Sequence, residues 1–255
     1  MDRLSTHLYL QQNDRLEFQK PQLLLTEPHK STGVDFKLIG ENGSDVTCQF
    51  KPGETGIAAF LPMSLHIIEG SMRYRSLDLI ALCKLQAFID TSLNRVGFER
   101  NNDICWGFEP LGFQENVTFK HIEYWLIRQS LRADSGTGNI ASILRSTEWY
   151  RLVRFLLQEA DSTERLQDLG ARYGVSVSHF RRLTRKALGN TTKVEMCDWR
   201  LVRALLDLMG EQKSLTTLAM KHGYSSLSHF SNDVKISLGV SPRSLKDVII
   251  SDAKK

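Results

Sequence analysis

From Pro21 to about Gly70 the apolar positions fall in short alternating or continuous runs, QLLLT, VDFKLIG, DVTCQF, GIAAFLP and LHIIEG, each bounded by Gly, Pro, Asn or Asp. Runs of this length between turn formers predict several short strands in a small sheet or partial barrel. The Asn-Gly pair within Glu41–Asp45 predicts a hairpin turn, because both central positions tolerate positive φ. Residues 1–20 are polar with scattered leucines and read as a short helix or a flexible lead-in. The texture changes at Ser76–Val96, where an N-capping Ser76, an acidic first turn and apolar residues around most of the circumference predict a helix. Leu82, Leu85, Ile89, Leu93 and Val96 form one stripe, and Leu77, Ala81 and Phe88 form a second beside it. A helix so apolar belongs in a core, or is shared between a core and a subunit interface. Phe98–Asn116 reads as a Gly/Pro/Asn-rich loop carrying Trp106, Phe108 and Phe113. Val117–Leu131 reads as another helix, with Phe119, Ile122, Trp125 or Leu126, and Gln129 along its faces.

Ala133–Asn139, ADSGTGN, has the composition of a linker. It also begins GTGNIA, Gly136–Ala141, which fits the GxGxxA form of a dinucleotide fingerprint with Glu159 downstream. That fingerprint needs a strand before it and a parallel sheet around it, and a helical pattern precedes it here, so a hinge is the better reading and no cofactor is expected. Ile140–Glu159 is helical, with Ile143, Leu144, Trp149, Leu152, Val153, Leu156 and Leu157 as its stripe, and ends at the Asp161-Ser162-Thr163 break.

The remaining sequence contains a repeat. Leu166–Leu188, LQDLGARYGVSVSHFRRLTRKAL, is echoed by Leu215–Arg243, LTTLAMKHGYSSLSHFSNDVKISLGVSPR. Gly174 matches Gly223 at a spacing of 49, whereas His179-Phe180 match His229-Phe230 at 50, so one residue has been gained inside the turn. A short helix, a glycine turn and a second helix opening on Ser is the sequence form of a helix-turn-helix unit. Small residues are needed where the paired backbones approach, and Ala171 and Ala219 in the first helices suit that place. Phe180, Leu183 and Leu188, and Phe230, Val234 and Leu238, recur at helical spacing and are expected in the core. Between the units, Thr192–Glu195 reads as a capping box opening one long helix with the stripe Val194, Cys197, Leu201, Ala204, Leu205 and Leu208, ended by Gly210. Pro242 is placed to open a last helix, Arg243–Ile250. The expected fold is α+β: a β-rich plus helical N-terminal domain over 1–135, an all-α C-terminal domain over 138–250 with two helix-turn-helix units joined by a long helix, and a tail at 251–255.

The formal net charge of +4 hides an uneven distribution: residues 138–255 carry 19 Lys/Arg against 12 Asp/Glu, and residues 1–137 carry 14 against 17. A second half at +7 beside a first half at −3 points to a polyanion for the C-terminal domain and to a different task for the N-terminal one. Cys48, Cys83, Cys105 and Cys197 contain no CxxC pair, so neither a disulfide framework nor a zinc knuckle is expected, and reduced thiols of a cytoplasmic protein fit better. The N-terminus lacks the apolar core of a signal peptide and no 18-residue apolar run occurs, so no membrane partner is expected. His179 and His229 recur, but in separate units without a second ligand at i+4, so they are not read as a metal site. His7, His29, His66 and His121 have no partnered nucleophile at recognisable spacing, and no enzyme is expected.

Helical periodicity leaves Ser178, Arg181, Arg182 and Arg185 on the outer face of the first candidate recognition helix, and Leu227, Ser228, Ser231 and Asn232 on that of the second. An arginine fork matches guanine O6 and N7, which makes Arg181 and Arg182 the main specificity candidates. Arg185 and Lys186 are assigned to phosphate, and Ser176, Ser225 and Ser226 sit at helix N-termini, where amides and hydroxyls suit a phosphate oxygen.

The second repeat, LAMKHGYSSLSHFSNDVKISLGVSP, resembles the signature of AraC/XylS-type transcription activators through Ala219, Gly223, Tyr224, Phe230, Lys235, Gly239 and Pro242. The likeness spans roughly residues 140–250. GVSVSHFRRLTRKALG, HGYSSLSHFS, GVSPRSLKDVII and the helix run WRLVRALLDLM resemble more narrowly the InvF-like regulators of type III secretion and invasion genes. The resemblance implies activation at promoters, hence RNA polymerase as a partner besides double-stranded promoter DNA. It implies an N-terminal domain that senses or partners, with a tetratricopeptide-repeat chaperone as coactivator, and a homodimer is a further candidate. It places base reading on Ser178, Arg181, Arg182, Leu227, Ser228, Ser231 and Asn232. Thr184 and Val234 stand where the family usually has Phe, and Leu245-Lys246 where it often has an aromatic-Arg pair. The second recognition helix is nearly uncharged, so the first is expected to dominate. The alternative from another class is a small-molecule sensor, with the strands of Pro21–Gly70 forming a ligand barrel.

Overall fold

In the computed structural model, which describes residues 4–40, 42–95, 104–112, 117–131, 138–159, 165–210 and 214–246, the N-terminal apolar runs become strands. These are β1 (Leu8–Gln11), β2 (Arg15–Phe18), β3 (Gln22–Pro28), β4 (Val34–Gly40), β5 (Asp45–Phe50), β6 (Gly56–Phe60), β7 (Met63–Ser76) and β8 (Trp106–Pro110). They form one antiparallel sheet in the order β5-β4-β7-β3-β6-β8, with β1 and β2 also paired to β7. The pleat sends alternate residues inward, Val34, Phe36 and Leu38 from β4 and Met63, Leu65 and Ile67 from β7. β7 is long enough to be shared: β2 and β4 flank its first half, β1 and β3 its second. It bends at Gly70, φ +81°, where an added Cβ would lie 2.3 Å from the Gly33 carbonyl oxygen, so that only glycine fits. The curl brings the two ends of the strand order together, Phe50 on β5 meeting Phe108 on β8 with ring centroids 4.3 Å apart. Phe18 stacks on Phe60 at 4.8 Å, and the interior of the curled sheet is filled by such rings.

Three segments depart from the sequence expectation. Residues 8–11 and 15–18 are strands, not a short helix or lead-in, because β7 supplies their partners more than fifty positions later, Leu8 opposite Tyr74 and Arg15 opposite His66. Trp106–Pro110, expected as loop, is a strand on β6 with Trp106 opposite Phe60. Among the described residues of the β4–β5 turn only Gly43 takes positive φ, at +77°, while Asn42 accepts the Ser44 amide through its side chain at 3.1 Å.

The helices of the first half are α1 (Leu79–Ser92) and α2 (Phe119–Leu131), followed by α3 (Asn139–Ser146) and α4 (Glu148–Gln158). α1 is capped by Asp78, which accepts the Ala81 amide at 3.0 Å, whereas Ser76 ends β7. Its buried line is Leu82, Cys83, Gln86, Ala87 and Asp90, rotated from the leucine stripes read in the sequence, and Leu93 is exposed. The rotation is explained by Asp90, which is fully buried. Arg145 donates to it through Nε at 2.8 Å and Nη2 at 2.9 Å, the Tyr150 hydroxyl donates at 2.8 Å, and Gln86 at 3.1 Å. The helix expected over 140–159 breaks at Thr147, whose hydroxyl donates to the Leu144 carbonyl and accepts the Tyr150 amide.

Five further helices follow: α5 (Leu166–Tyr173), α6 (Val177–Leu188), α7 (Thr192–Gly210), α8 (Leu215–Lys221) and α9 (Leu227–Leu238). The fold is α+β, a β-rich N-terminal part followed by a helical C-terminal part. The chain separates into Met1–Val153 and Arg154–Lys255. Where the sequence begins the second domain at 138, α3 packs on α1, β6 and β8. Val96, the linker residues 133–137, the Asp161-Ser162-Thr163 break and the tail 251–255 lie outside the described residues. No helix among the described residues is long and apolar enough to cross a membrane.

Removing one partner of a buried ion pair strands the other, so Asp90→Ala is expected to lower stability by ~3–5 kcal/mol in urea unfolding. A loss within the ~1 kcal/mol of an exposed pair would contradict its structural role. Burial pushes the Cys83 thiol up to about 12, so at neutral pH a thiol reagent should label the exposed Cys105 quickly and Cys83 only after unfolding.

Candidate nucleic-acid interface

Two helix pairs are built on the same plan. In the first, α5 ends in Gly174 at φ +85°, a left-handed conformation a side chain disfavours, and Ser176 accepts the His179 amide to cap α6. In the second, α8 ends at His222, Gly223 takes φ +70°, and Ser226 accepts the His229 amide at 3.1 Å to cap α9. The hub of each pair is a fully buried phenylalanine. Phe180 is enclosed by Phe155 and Tyr173, and Phe230 by Tyr224 with ring centroids 5.1 Å apart.

The close approach of the paired helices falls one residue earlier in the first unit than the sequence suggests. Gly170 is buried, and a Cβ there would sit 3.3 Å from that of Phe180, whereas Ala171 is exposed. Ala219 is fully buried and is the equivalent of Gly170, at the 49-residue spacing that relates Gly174 to Gly223. Leu188 is buried as expected, but Leu238 is 47% exposed beyond the last turn that Val234 anchors.

α7 joins the pairs, and at ~1.5 Å per residue its 19 residues span ~28 Å. At its start, the Thr192 side chain does not take the Glu195 amide as the expected capping box requires. The Thr192 hydroxyl donates to the buried Thr184 hydroxyl at 2.6 Å, while the Glu195 amide goes to the Thr191 carbonyl. A threonine at 184, where a phenylalanine is usual in the resembled family, thus ties α6 to α7. Met196, Trp199, Leu201, Ala204 and Leu208 are the buried apolar residues of α7 among those described, and Val194 is 47% exposed. Arg203 donates to the Leu157 carbonyl at 2.5 Å, and Arg200 reaches the Gly223 carbonyl at 3.4 Å and lies over the Tyr224 ring. Asp207 on the same helix is held below the usual carboxylate range by hydrogen bonds from Lys221 and His222, opposed by partial desolvation.

On α6, Ser178, Arg181, Arg182, Arg185 and Lys186 are all exposed, as is Ser176 at its start. On α9, Ser228 and Asn232 are exposed, Ser231 is half-buried, and Leu227 is half-buried against the second core. Ser225 is exposed with its hydroxyl 3.3 Å from His229 Nδ1, and Ser226 is half-buried by its capping role. Between the two pairs lies a groove of about 830 Å³ that brings together Arg181 and Arg185 of α6 with Ser225 and His229 of the second unit. Its lining also includes Arg165, Thr191, Lys193 and Arg200, none of which the sequence reading singled out. Their signal was available only in part, since basic residues just before or within the first turn of a helix run against its dipole. Among the described residues no three His, Cys, Asp or Glu side chains gather as metal ligands.

A family model described as a helix-turn-helix domain matches residues 169–247. The invasion protein InvF of Salmonella typhi is 36% identical over 184 residues, covering 71% of this chain and 84% of InvF. The transcriptional regulator MxiE of Shigella flexneri is 41% identical over 125 residues, covering 48% of this chain and 60% of MxiE. A solved structure of ToxT from Vibrio cholerae is 11% identical and covers 96% of this chain and 98% of its own, at a TM-score of 0.37, too distant for any argument to rest on it.

A methyl group at a left-handed position costs ~1–2 kcal/mol, so Gly174→Ala is expected to lower the thermal stability of the first helix pair by that amount. An unchanged melting temperature would show that the turn relaxes to negative φ.

Proposed function

The chain belongs to the AraC/XylS family of helix-turn-helix transcription regulators, and on that premise we propose that it is a sequence-specific activator of type III secretion and invasion genes. In this reading a tetratricopeptide-repeat chaperone docks on the N-terminal unit as coactivator, and DNA-bound protein meets RNA polymerase at the promoter. The observation that carries the reading is the pair of capped helices, α6 and α9, built on one plan and joined by a single helix, with the arginines of the first exposed. Relatives named as an invasion protein and a transcriptional regulator support the choice of target genes. Ser178, Arg181 and Arg182 are proposed to read bases, with Ser228, Ser231 and Asn232 and the half-buried Leu227 as the weaker surface of the second unit. Ser176, Arg185, Lys186, Ser225 and Ser226 are proposed to hold phosphate.

Tyr124, Ile127 and Leu131 on α2 are 64%, 37% and 67% exposed at i, i+3 and i+7, an apolar stripe that supports a protein partner, chaperone or second copy, on the N-terminal unit. The small-molecule alternative has a weaker footing. Phenylalanines fill the curled sheet, so its interior offers a ligand little room. What favours the alternative is a cleft of about 710 Å³ on the outer face of the sheet, with Glu27 among Arg73, Arg75, His7, His29 and Lys30.

Arg182→Ala is expected to weaken binding to a secretion-gene promoter fragment by ~1–3 kcal/mol and to relax preference at one base pair. Equal weakening on scrambled DNA would make Arg182 a phosphate contact. Tyr124→Glu with Leu131→Glu is expected to abolish chaperone-dependent activation while leaving DNA affinity unchanged. Full activation in the absence of any chaperone, by the unaltered protein, would remove the coactivator reading.

A further inference from the structure

We propose that the groove between the two helix-turn-helix units is a clamp for the phosphate backbone of the DNA strand passing from one recognition helix to the other, with Arg165 and Lys193 as its dedicated contacts. The proposal rests on the DNA-binding reading and adds to it two residues that lie outside both recognition helices.

The groove takes five cations from three helices: Arg165 ahead of α5, Arg181 and Arg185 on α6, and Lys193 and Arg200 on α7. None of its described lining residues is acidic. Outside the groove, Arg172 pairs with Glu159 and Lys221 with Asp207. Five like charges around one depression repel one another, and a polyanion laid in it relieves that repulsion.

Two of the five stand where the fold disfavours them. Arg165 is the N-cap residue of α5 and makes no side-chain cap hydrogen bond, in the position where the second unit has the capping Ser214. Lys193 lies in the first turn of α7. A cation at a helix N-terminus opposes the helix dipole, so each is a small loss to the folded protein that an anion reverses. Both are exposed. The same N-terminal amides that repel a cation attract a phosphate oxygen, and Thr191 and Thr192 bring the start of α7 to the groove wall.

The position of the groove identifies the anion. Its walls include one flank of α6 and, in the second unit, the turn and first turn of α9 at Ser225 and His229, so it adjoins both surfaces assigned to base reading. A duplex that offers consecutive major-groove segments to α6 and α9 must carry a backbone strand across the interval. Arg185, assigned to phosphate, lines this flank of α6 together with Arg181, whereas Arg182 is not among the described lining residues.

The test uses the full-length protein and a random-sequence 30-bp duplex, read by fluorescence anisotropy over a range of KCl. Each phosphate contact contributes about 0.9 to the slope of log K against log salt, so Arg165→Gln with Lys193→Gln should lower the slope by about 2. Arg172→Gln, outside the groove, should leave it unchanged, and Lys193→Arg should restore Lys193's share. Circular dichroism and melting temperature confirm the fold of each variant, and Lys193→Gln alone, expected to lower the slope by about 1, serves if the double variant is unstable. Salt-dependent binding by the unaltered protein with the same slope in the folded variants would overturn the clamp and leave the DNA-binding reading standing. No salt-dependent duplex binding by the unaltered protein would overturn that reading, and the clamp with it.

Discussion

A carboxylate cut off from water stays charged only if cations and donors reach every part of it, and Asp90 meets that condition with Arg145 on one side and Tyr150 and Gln86 on the others. The requirement turns α1 away from its leucines, holds α3 against it, and sets the first turn of α4, since Tyr150 must approach with its hydroxyl. Cys83 on the same face meets Thr147 at 3.1 Å, the residue that breaks the helix and makes the turn possible. α4 then continues to Phe155, which packs on Tyr173 and Phe180 at the heart of the first helix pair. An ion pair of this kind is a poor source of net stability but a strict condition on geometry, because misaligned partners leave charge unpaired in the interior.

The two parts of the chain solve opposite problems. The sheet must bury a large aromatic surface with little sequence length, and does so by curling until Phe50 meets Phe108. The helical part buries one phenylalanine per helix pair and leaves its charged side chains outside, which is where the difference between −3 and +7 becomes spatial. Apolar contacts therefore set the shape of both parts, while electrostatics gives only the second its exterior.

Local pattern was enough for whatever is stabilised locally. The strands from Gln22 to Ile67 were legible because each is an alternating or continuous apolar run between turn formers, and the helix pairs because Gly174 and Gly223 and the capping serines are local chemistry repeated. The strands at Leu8–Gln11 and Arg15–Phe18 carry no such signal, being four residues long and dependent on β7 for every partner. The burial of Asp90 was equally hidden, since Arg145 and Tyr150 follow 55 and 60 residues later. The outer face of α6 was legible from periodicity. The half-burial of Leu227 and the gathering of Arg165 and Lys193 beside Arg181 depend on how α7 places one pair against the other, which no single helix encodes.

The inequality of α6 and α9 also gives the protein a direction. One exposed face carries three arginines and a lysine, and the other presents Ser228 and Asn232 with only Lys235 near its end. Two equal readers would fit a symmetrical site in either sense. Under the proposed DNA-binding reading, unequal ones give a bound duplex a head and a tail, so that a single molecule would distinguish upstream from downstream on a promoter.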